Sequence, residues 1–155
     1  MKKAIYLTLI GAVLAGGAVI PHANADEPYN HPQNRVLRAA RSGDAALKAL
    51  LSQGININAT DYDGETALME AAEERNSEVV RVLIANGANV NAANEDGETA
   101  LMIAADEGRA ETVRLLIEAG ANVNARDEDG ETALDKAIDE RNHKVAELLR
   151  AAGAR

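Results

Sequence analysis

A 33-residue period runs through most of the chain and restricts its fold more than any other feature. The stretch DYDGETALMEAAEER, which begins at Asp61, returns as NEDGETALMIAADEG and again as DEDGETALDKAIDER. Two series of glycines keep the same spacing: Gly64, Gly97 and Gly130, and Gly54, Gly87, Gly120 and Gly153. Periods of this length are typical of arrays in which one small unit stacks on the next.

The sequence predicts that each unit consists of a turn followed by two short helices. Thr66 stands where its hydroxyl can cap the first helix, and Leu68, Ala71 and Ala72 share one face of that helix at helical spacing. The second helix, SEVVRVLIAN, directs its apolar side chains inward: Val79, Val80, Leu83 and Ile84. Gly87 then provides the left-handed residue that ends it. The sequence therefore predicts an all-α repeat solenoid with short hairpin-like loops.

These residues resemble the ankyrin repeat. The match comprises Asp61-x-x-Gly64-x-Thr66-Ala67-Leu68, the pair Ala71-Ala72, the run 80–84 and Gly87-Ala88-x-Val90-Asn91, and it recurs in register from about Asn34 to the C-terminus. The family's usual Thr-Pro-Leu-His is here Thr-Ala-Leu-Met twice and Thr-Ala-Leu-Asp once. The resemblance implies helix-turn-helix stacking, and the lost histidine implies a lower stability than a consensus array has.

The N-terminus has the pattern of a cleaved signal peptide. Lys2 and Lys3 precede a charge-free apolar run over 4–20, and Ala23-Asn24-Ala25 forms a small-x-small site. We expect cleavage between Ala25 and Asp26. An uncleaved membrane anchor is the alternative, but the run is shorter than the ~20 residues of a typical span. The predicted organisation is a signal peptide at 1–25, a leader at 26–33 and four ankyrin repeats: 34–60 (N-terminal cap), 61–93, 94–126 and 127–155 (C-terminal cap).

Composition and charge exclude several classes of function. The chain has no cysteine, so thiolate catalysis and disulfides are impossible. Its net charge is −9 and changes to −11 without Lys2 and Lys3. Residues 61–155 contain 22 acidic and 10 basic side chains, and aromatic residues are scarce. A nucleic-acid partner is therefore not expected, and nothing in the sequence calls for a cofactor.

The acidic turns fit neither a calcium-binding loop nor a catalytic pair of carboxylates. With Gly64 at the sixth position of a calcium loop, the first position falls on Ala59, and the other units lack a carboxylate at the twelfth. A carboxylate pair for catalysis needs two unlike environments in a pocket, whereas these carboxylates recur once in every unit. His31 and His143 lie in the leader and in an inter-helix turn, without a nucleophile nearby in sequence. We expect neither a metal site nor an enzyme.

In ankyrin-like proteins, the turn tips and the exposed side of the first helix form a concave binding surface. Transferred to this chain, that surface has fourteen acidic side chains and one tyrosine: Tyr62, Asp63, Glu65, Glu73, Glu74, Glu95, Asp96, Glu98, Asp106, Glu107, Glu128, Asp129, Glu131, Asp139 and Glu140. Basic residues are expected on the other side, at Arg81, Arg114 and Lys144. Tyr62 is the candidate anchor. Met69 and Met102 either add apolar contact or are buried between repeats.

The acidic surface leads to two functional hypotheses, and the alternative is that it has no binding role. The first is a periplasmic protein-interaction module, monomeric alone and free of the membrane after cleavage, that binds a basic protein. The resemblance of the chain to exported bacterial ankyrin proteins implies a link to catalase and peroxide defence. The second is a periplasmic inhibitor or immunity protein that blocks a basic toxin or hydrolase. The bland alternative is a charged face that only keeps the protein soluble.

Overall fold

A computed structural model describes residues 34–155, and within them the chain forms eight helices and no strand. The helices are α1 (Asn34–Ser42), α2 (Asp44–Leu51), α3 (Ala67–Glu73), α4 (Ser77–Ala85), α5 (Ala100–Asp106), α6 (Ala110–Glu118), α7 (Ala133–Asp139) and α8 (His143–Ala151). The predicted signal peptide, its cleavage site at Ala25 and Asp26, and the leader with His31 lie outside the described residues.

The helices form two layers. The first helix of each pair contacts the first helix of the next, so α1, α3, α5 and α7 make one layer, and α2, α4, α6 and α8 make the other. This arrangement confirms the predicted all-α solenoid. None of the helices in the described part of the chain combines the length and the apolar character that a membrane span requires.

Threonine begins three of the four first helices, as the sequence predicts. The hydroxyl of Thr66 accepts a hydrogen bond from the backbone N–H of Met69, and Thr99 and Thr132 do the same in the next two units. The reciprocal bond comes from an unexpected group, because the Sδ atoms of Met69 and Met102 accept from the threonine N–H at 3.5 and 3.4 Å. Both methionines are 1% exposed, so they belong to the core and not to a contact surface.

Small aliphatic side chains fill the space between the layers. Leu68, Ala71 and Ala72 are buried, as are Val79, Val80 and Leu83 on the following helix, whereas Ile84 is half-buried. The same positions are buried in the next unit. Alanine on the first helices lets neighbouring units approach closely, so a core with very few aromatic residues is still tightly packed.

Backbone hydrogen bonds join the turn tips of neighbouring units. The N–H of Glu95 donates to the carbonyl of Asp63 at 2.9 Å, and the N–H of Glu128 donates to the carbonyl of Asp96 at 3.0 Å. Gly97 stands at this junction with a φ of 77°, and a Cβ there would lie 3.0 Å from the Glu128 nitrogen. Glycine is required because both the positive φ and the close approach exclude a side chain.

We predict that Gly97→Ala destabilises the array more than Gly130→Ala does. Both substitutions put alanine at a positive φ, which costs about 1–2 kcal/mol. Only Gly97 also faces the backbone of the next unit, whereas nothing lies within 4 Å of a Cβ at Gly130. We expect an additional loss of about 1–2 kcal/mol for Gly97→Ala, measured by urea unfolding. Equal losses for the two variants would contradict a close contact between neighbouring tips.

Candidate protein-interaction surface

Inter-unit hydrogen bonds bring the predicted tip residues into one row. The tip row consists of Tyr62, Asp63, Glu95, Asp96, Glu128 and Asp129, all of which are exposed. Tyr62 is 73% exposed and stands at one end of the row. None of the five carboxylates takes part in an ion pair within residues 34–155. The row therefore presents uncompensated negative charge beside an exposed aromatic ring.

The remaining predicted contact residues divide into two further groups. Six lie near the C-terminal ends of the first helices: Glu73, Glu74, Asp106, Glu107, Asp139 and Glu140. A seven-residue helix separates them from the tips by roughly 10 Å. Glu65, Glu98 and Glu131 form the third group, immediately after the tips, and all three are half-buried. The predicted contact residues therefore fall into three groups: the tip row, the helix ends and the half-buried glutamates that follow the tips.

Lys136 neutralises part of the third group, contrary to the expectation that basic residues avoid this side of the array. Its Nζ lies 2.8 Å from Glu98, 2.9 Å from Asp127 and 3.7 Å from Glu131. Burial alone would lower the pKa of Lys136, but the hydrogen bonds to Glu98 and Asp127 outweigh it and raise the pKa. Glu98 and Glu131 are therefore paired within the protein and are poorer candidates for partner contact than the tip row.

In the second unit, the residue equivalent to Lys136 is a buried glutamate, Glu70. Glu70 is 4% exposed, and its carboxylate accepts hydrogen bonds from Nε and Nη2 of Arg41 on α1. The Nη2 atom lies 2.7 Å from the carboxylate oxygen. The carboxylates of Asp61 and Glu65 converge on the same place, since oxygen atoms of all three acids lie within 4.8 Å of one another. Burial, followed by the charges of Glu70 and Asp61, raises the pKa of Glu65 to about 7.

Asp61 also shapes the first tip. One of its carboxylate oxygens accepts hydrogen bonds from the N–H groups of Asp63 and Glu65 at 3.0 and 2.9 Å. Asn94 and Asp127 repeat this pattern in the next two units. Such Asx turns fix the direction of the tip, so the row is held locally as well as by its neighbours.

An asparagine ladder whose hydrogen bonds were not predicted from the sequence joins the units at the loops after the second helices. Asn58 accepts from the N–H of Asn89 at 2.8 Å and donates to the carbonyl of Gly87 at 3.3 Å. Asn91 and Asn124 make the same two bonds one and two units later. The three asparagines stand 33 residues apart, and that spacing was the signal that could have revealed them.

A pocket lies among the inter-helix turns, at the opposite ends of the first helices from the tips. Arg109 and Asn142 line it and donate to backbone carbonyls of the preceding unit, at Glu73 and at Ala105 and Asp106. Arg109 also pairs with Glu107 at 3.1 Å. These contacts cap the preceding first helices, so the pocket arises from stacking. His143, predicted to lie in the inter-helix turn, is instead the first residue of α8, and it is exposed.

Comparison with known proteins supports the repeat assignment. A family model described as ankyrin repeats (three copies) matches residues 18–94 and 87–155. No curated protein matches the chain.

We predict that Lys136→Met destabilises the protein by about 2 kcal/mol, because it leaves two half-buried to buried carboxylates without their cation. Thermal and urea unfolding measure the loss. Lys144→Met is the matched control, since it removes the same charge from an exposed position on α8 and should change stability by less than about 0.5 kcal/mol. Similar effects of the two substitutions would show that the Lys136 contacts contribute little.

Proposed function

We propose, because the chain belongs to the ankyrin-repeat family, that it is a non-enzymatic module that binds a basic protein through the tip row on its concave face. Ankyrin repeats bind other proteins. The observation that carries the choice of surface is the continuous line of exposed carboxylates without ion pairs, with Tyr62 at its end.

We expect the tip carboxylates and Tyr62 to contribute to binding in different ways. Exposed carboxylates attract a positively charged partner from a distance, which raises the association rate and rejects acidic proteins. Each such charge adds little net affinity, because water and salt screen it. Tyr62 provides what the carboxylates lack, a large rigid side chain that loses much apolar surface when covered.

Pairing of charge makes four of the other predicted contact residues poorer candidates than the tip row. Glu74, Asp106, Asp139 and Glu140 are exposed without an ion pair in residues 34–155, as the tips are, but no aromatic side chain accompanies them. Glu98 and Glu131 contact Lys136, Glu107 contacts Arg109, and Glu73 has interactions of its own. A partner cation at these places would have to compete with a cation already present, or disturb an existing contact. The tip carboxylates take part in no ion pair within residues 34–155.

The signal-like N-terminus supports a periplasmic location, where the partner would be a secreted protein. The resemblance to exported bacterial ankyrin proteins supports a role beside catalase in peroxide defence. An inhibitor or immunity protein for a basic toxin or hydrolase would use the same surface, and it would differ in abolishing the activity of its partner. Periplasmic extract applied to the immobilised protein at low and high salt identifies the partner, and an activity assay of the captured protein separates the two roles.

We predict that Tyr62→Ala weakens binding of the captured partner at least tenfold and leaves the unfolding midpoint unchanged. The exposed ring contributes little to the fold, whereas hot-spot aromatics contribute 2 kcal/mol or more, about thirtyfold, to binding. Surface plasmon resonance and urea unfolding give the two readouts. Unchanged affinity would exclude Tyr62 as the anchor.

We further predict that neutralising two tips slows association without accelerating dissociation. The variant combines Glu95→Gln, Asp96→Asn, Glu128→Gln and Asp129→Asn, and its association rate should fall about tenfold or more at low salt, with a smaller fall at high salt. The control for net charge removes four exposed acids from the second helices: Glu78→Gln, Glu111→Gln, Glu118→Gln and Glu147→Gln. Rates that ignore both salt and the tip substitutions would exclude the acidic surface as the binding site.

A further inference from the structure

An aspartate stands directly before a glycine at each turn tip of the last three units. An aspartate in this setting can rearrange, because glycine has no side chain to hinder the approach of its nitrogen. The glycine nitrogen attacks the aspartate Cγ, a C–N bond closes a five-membered succinimide ring, and the hydroxyl of the carboxyl group leaves with the amide proton as water. Water then adds to the α-carbonyl and breaks its bond to nitrogen, which yields isoaspartate. The three pairs are Asp63–Gly64, Asp96–Gly97 and Asp129–Gly130.

In the first two tips, the next unit holds the peptide group that would have to turn. The Asp63 carbonyl accepts from the N–H of Glu95 at 2.9 Å, and the Asp96 carbonyl accepts from the N–H of Glu128 at 3.0 Å. Because a peptide group is planar, a hydrogen bond that fixes the carbonyl also fixes the N–H of the following glycine. The nitrogen in each pair is therefore restrained from approaching the aspartate Cγ.

The last tip has the same turn without this restraint. Within residues 34–155, no backbone N–H donates to the carbonyl of Asp129, and nothing lies within 4 Å of a Cβ placed on Gly130. The N–H of Gly130 keeps its turn bond to the carbonyl of Asp127 at 3.0 Å, as the other two tip glycines keep theirs. Arg126 donates to the carbonyl of Gly130, but this carbonyl belongs to the following peptide group. The Asp129–Gly130 peptide group is thus hydrogen-bonded on one side only.

We propose that Asp129–Gly130 is a site of spontaneous isoaspartate formation, and that the inter-unit hydrogen bonds protect Asp63 and Asp96. The reaction needs only water, and the inference goes beyond the proposed function. Turning the peptide group at Asp96 breaks one more hydrogen bond than turning it at Asp129. We therefore expect Asp129 to react about fivefold faster than Asp96, which corresponds to about 1 kcal/mol for that bond.

Isoaspartate at this position changes the shape of the last tip at constant net charge. The Cβ of Asp129 enters the main chain, and the free carboxylate is then attached directly to Cα. The added main-chain atom lengthens the turn in which Asp127 accepts from the N–H groups of Asp129 and Glu131. Because no later unit uses the carbonyl of Asp129, we expect the helix stack to remain intact while one end of the tip row is altered.

The chain contains its own matched comparison, because Asp96 and Asp129 lie in the same local sequence, EDGETAL. The intact protein is incubated at neutral pH and physiological temperature, once folded and once in guanidinium chloride, and is then digested with trypsin. Each pair falls in a separate peptide, at 49–75, 82–109 and 127–136. Mass spectrometry with electron-transfer dissociation distinguishes isoaspartate from aspartate, which have equal mass. Deamidation of Asn86 within 82–109 raises the mass of that peptide and is thereby recognised.

We expect isoaspartate to form about fivefold faster at Asp129 than at Asp96 in the folded protein, and at equal rates at the two sites in guanidinium chloride. Asp129→Glu is the control variant, because it keeps the carboxylate but cannot close a five-membered ring, and it should remove the isoaspartate signal from 127–136. Equal rates at Asp96 and Asp129 in the folded protein would overturn the inference. So would a folded protein that forms no isoaspartate at Asp129 under conditions in which the unfolded chain forms it.

Discussion

The arrangement of the surface depends on two backbone hydrogen bonds, from Glu95 to Asp63 and from Glu128 to Asp96. Each joins the tip of one unit to the tip of the next, and each requires a glycine whose missing side chain leaves room for the neighbouring backbone. Helix stacking alone would bring the units together, but these bonds fix the height and direction of the tips. Residues 33 positions apart in the chain thereby become neighbours in one row.

Much of this could be predicted from the sequence because periodicity is a statement about equivalent environments. Thr66, Leu68 and Ala71 recur in register, and a residue type that recurs at a 33-residue spacing must satisfy the same contact in every unit. The helix caps, the buried faces and the order of the helices follow from that rule, and the structure agrees with them. Ile84 is a small exception, since it lies at the edge of the buried face and remains half-exposed.

The pairing of charges was less predictable, because it depends on where the units differ. Position 70 is glutamate, its counterpart 103 is isoleucine and its counterpart 136 is lysine, so each unit has its own electrostatics at one point of a common scaffold. A comparison that averages the units conceals this variation. Lys136 therefore lies among acids that were predicted to contact a partner, and Arg41 of the first unit binds an acid of the second.

The predicted contact residues thus differ in how accessible they are to a partner, although they lie at equivalent positions of the repeat. The tip carboxylates face water, Glu98 and Glu131 face a lysine, and Glu65 faces other acids. Binding surfaces of repeat arrays acquire specificity in this way: stacking provides a regular frame, and departures from the consensus decide which parts of the frame carry free charge. Tyr62, the one aromatic at a tip, is such a departure.

Alignment of the tips is the claim on which the rest depends, and one distance tests it directly. Because the chain has no cysteine, Asp63→Cys and Asp129→Cys can be spin-labelled selectively and their separation measured by pulsed electron paramagnetic resonance. Two steps of helix packing predict a single narrow distribution centred at roughly 20 Å. A broad distribution, or one centred well beyond about 30 Å, would contradict a continuous row.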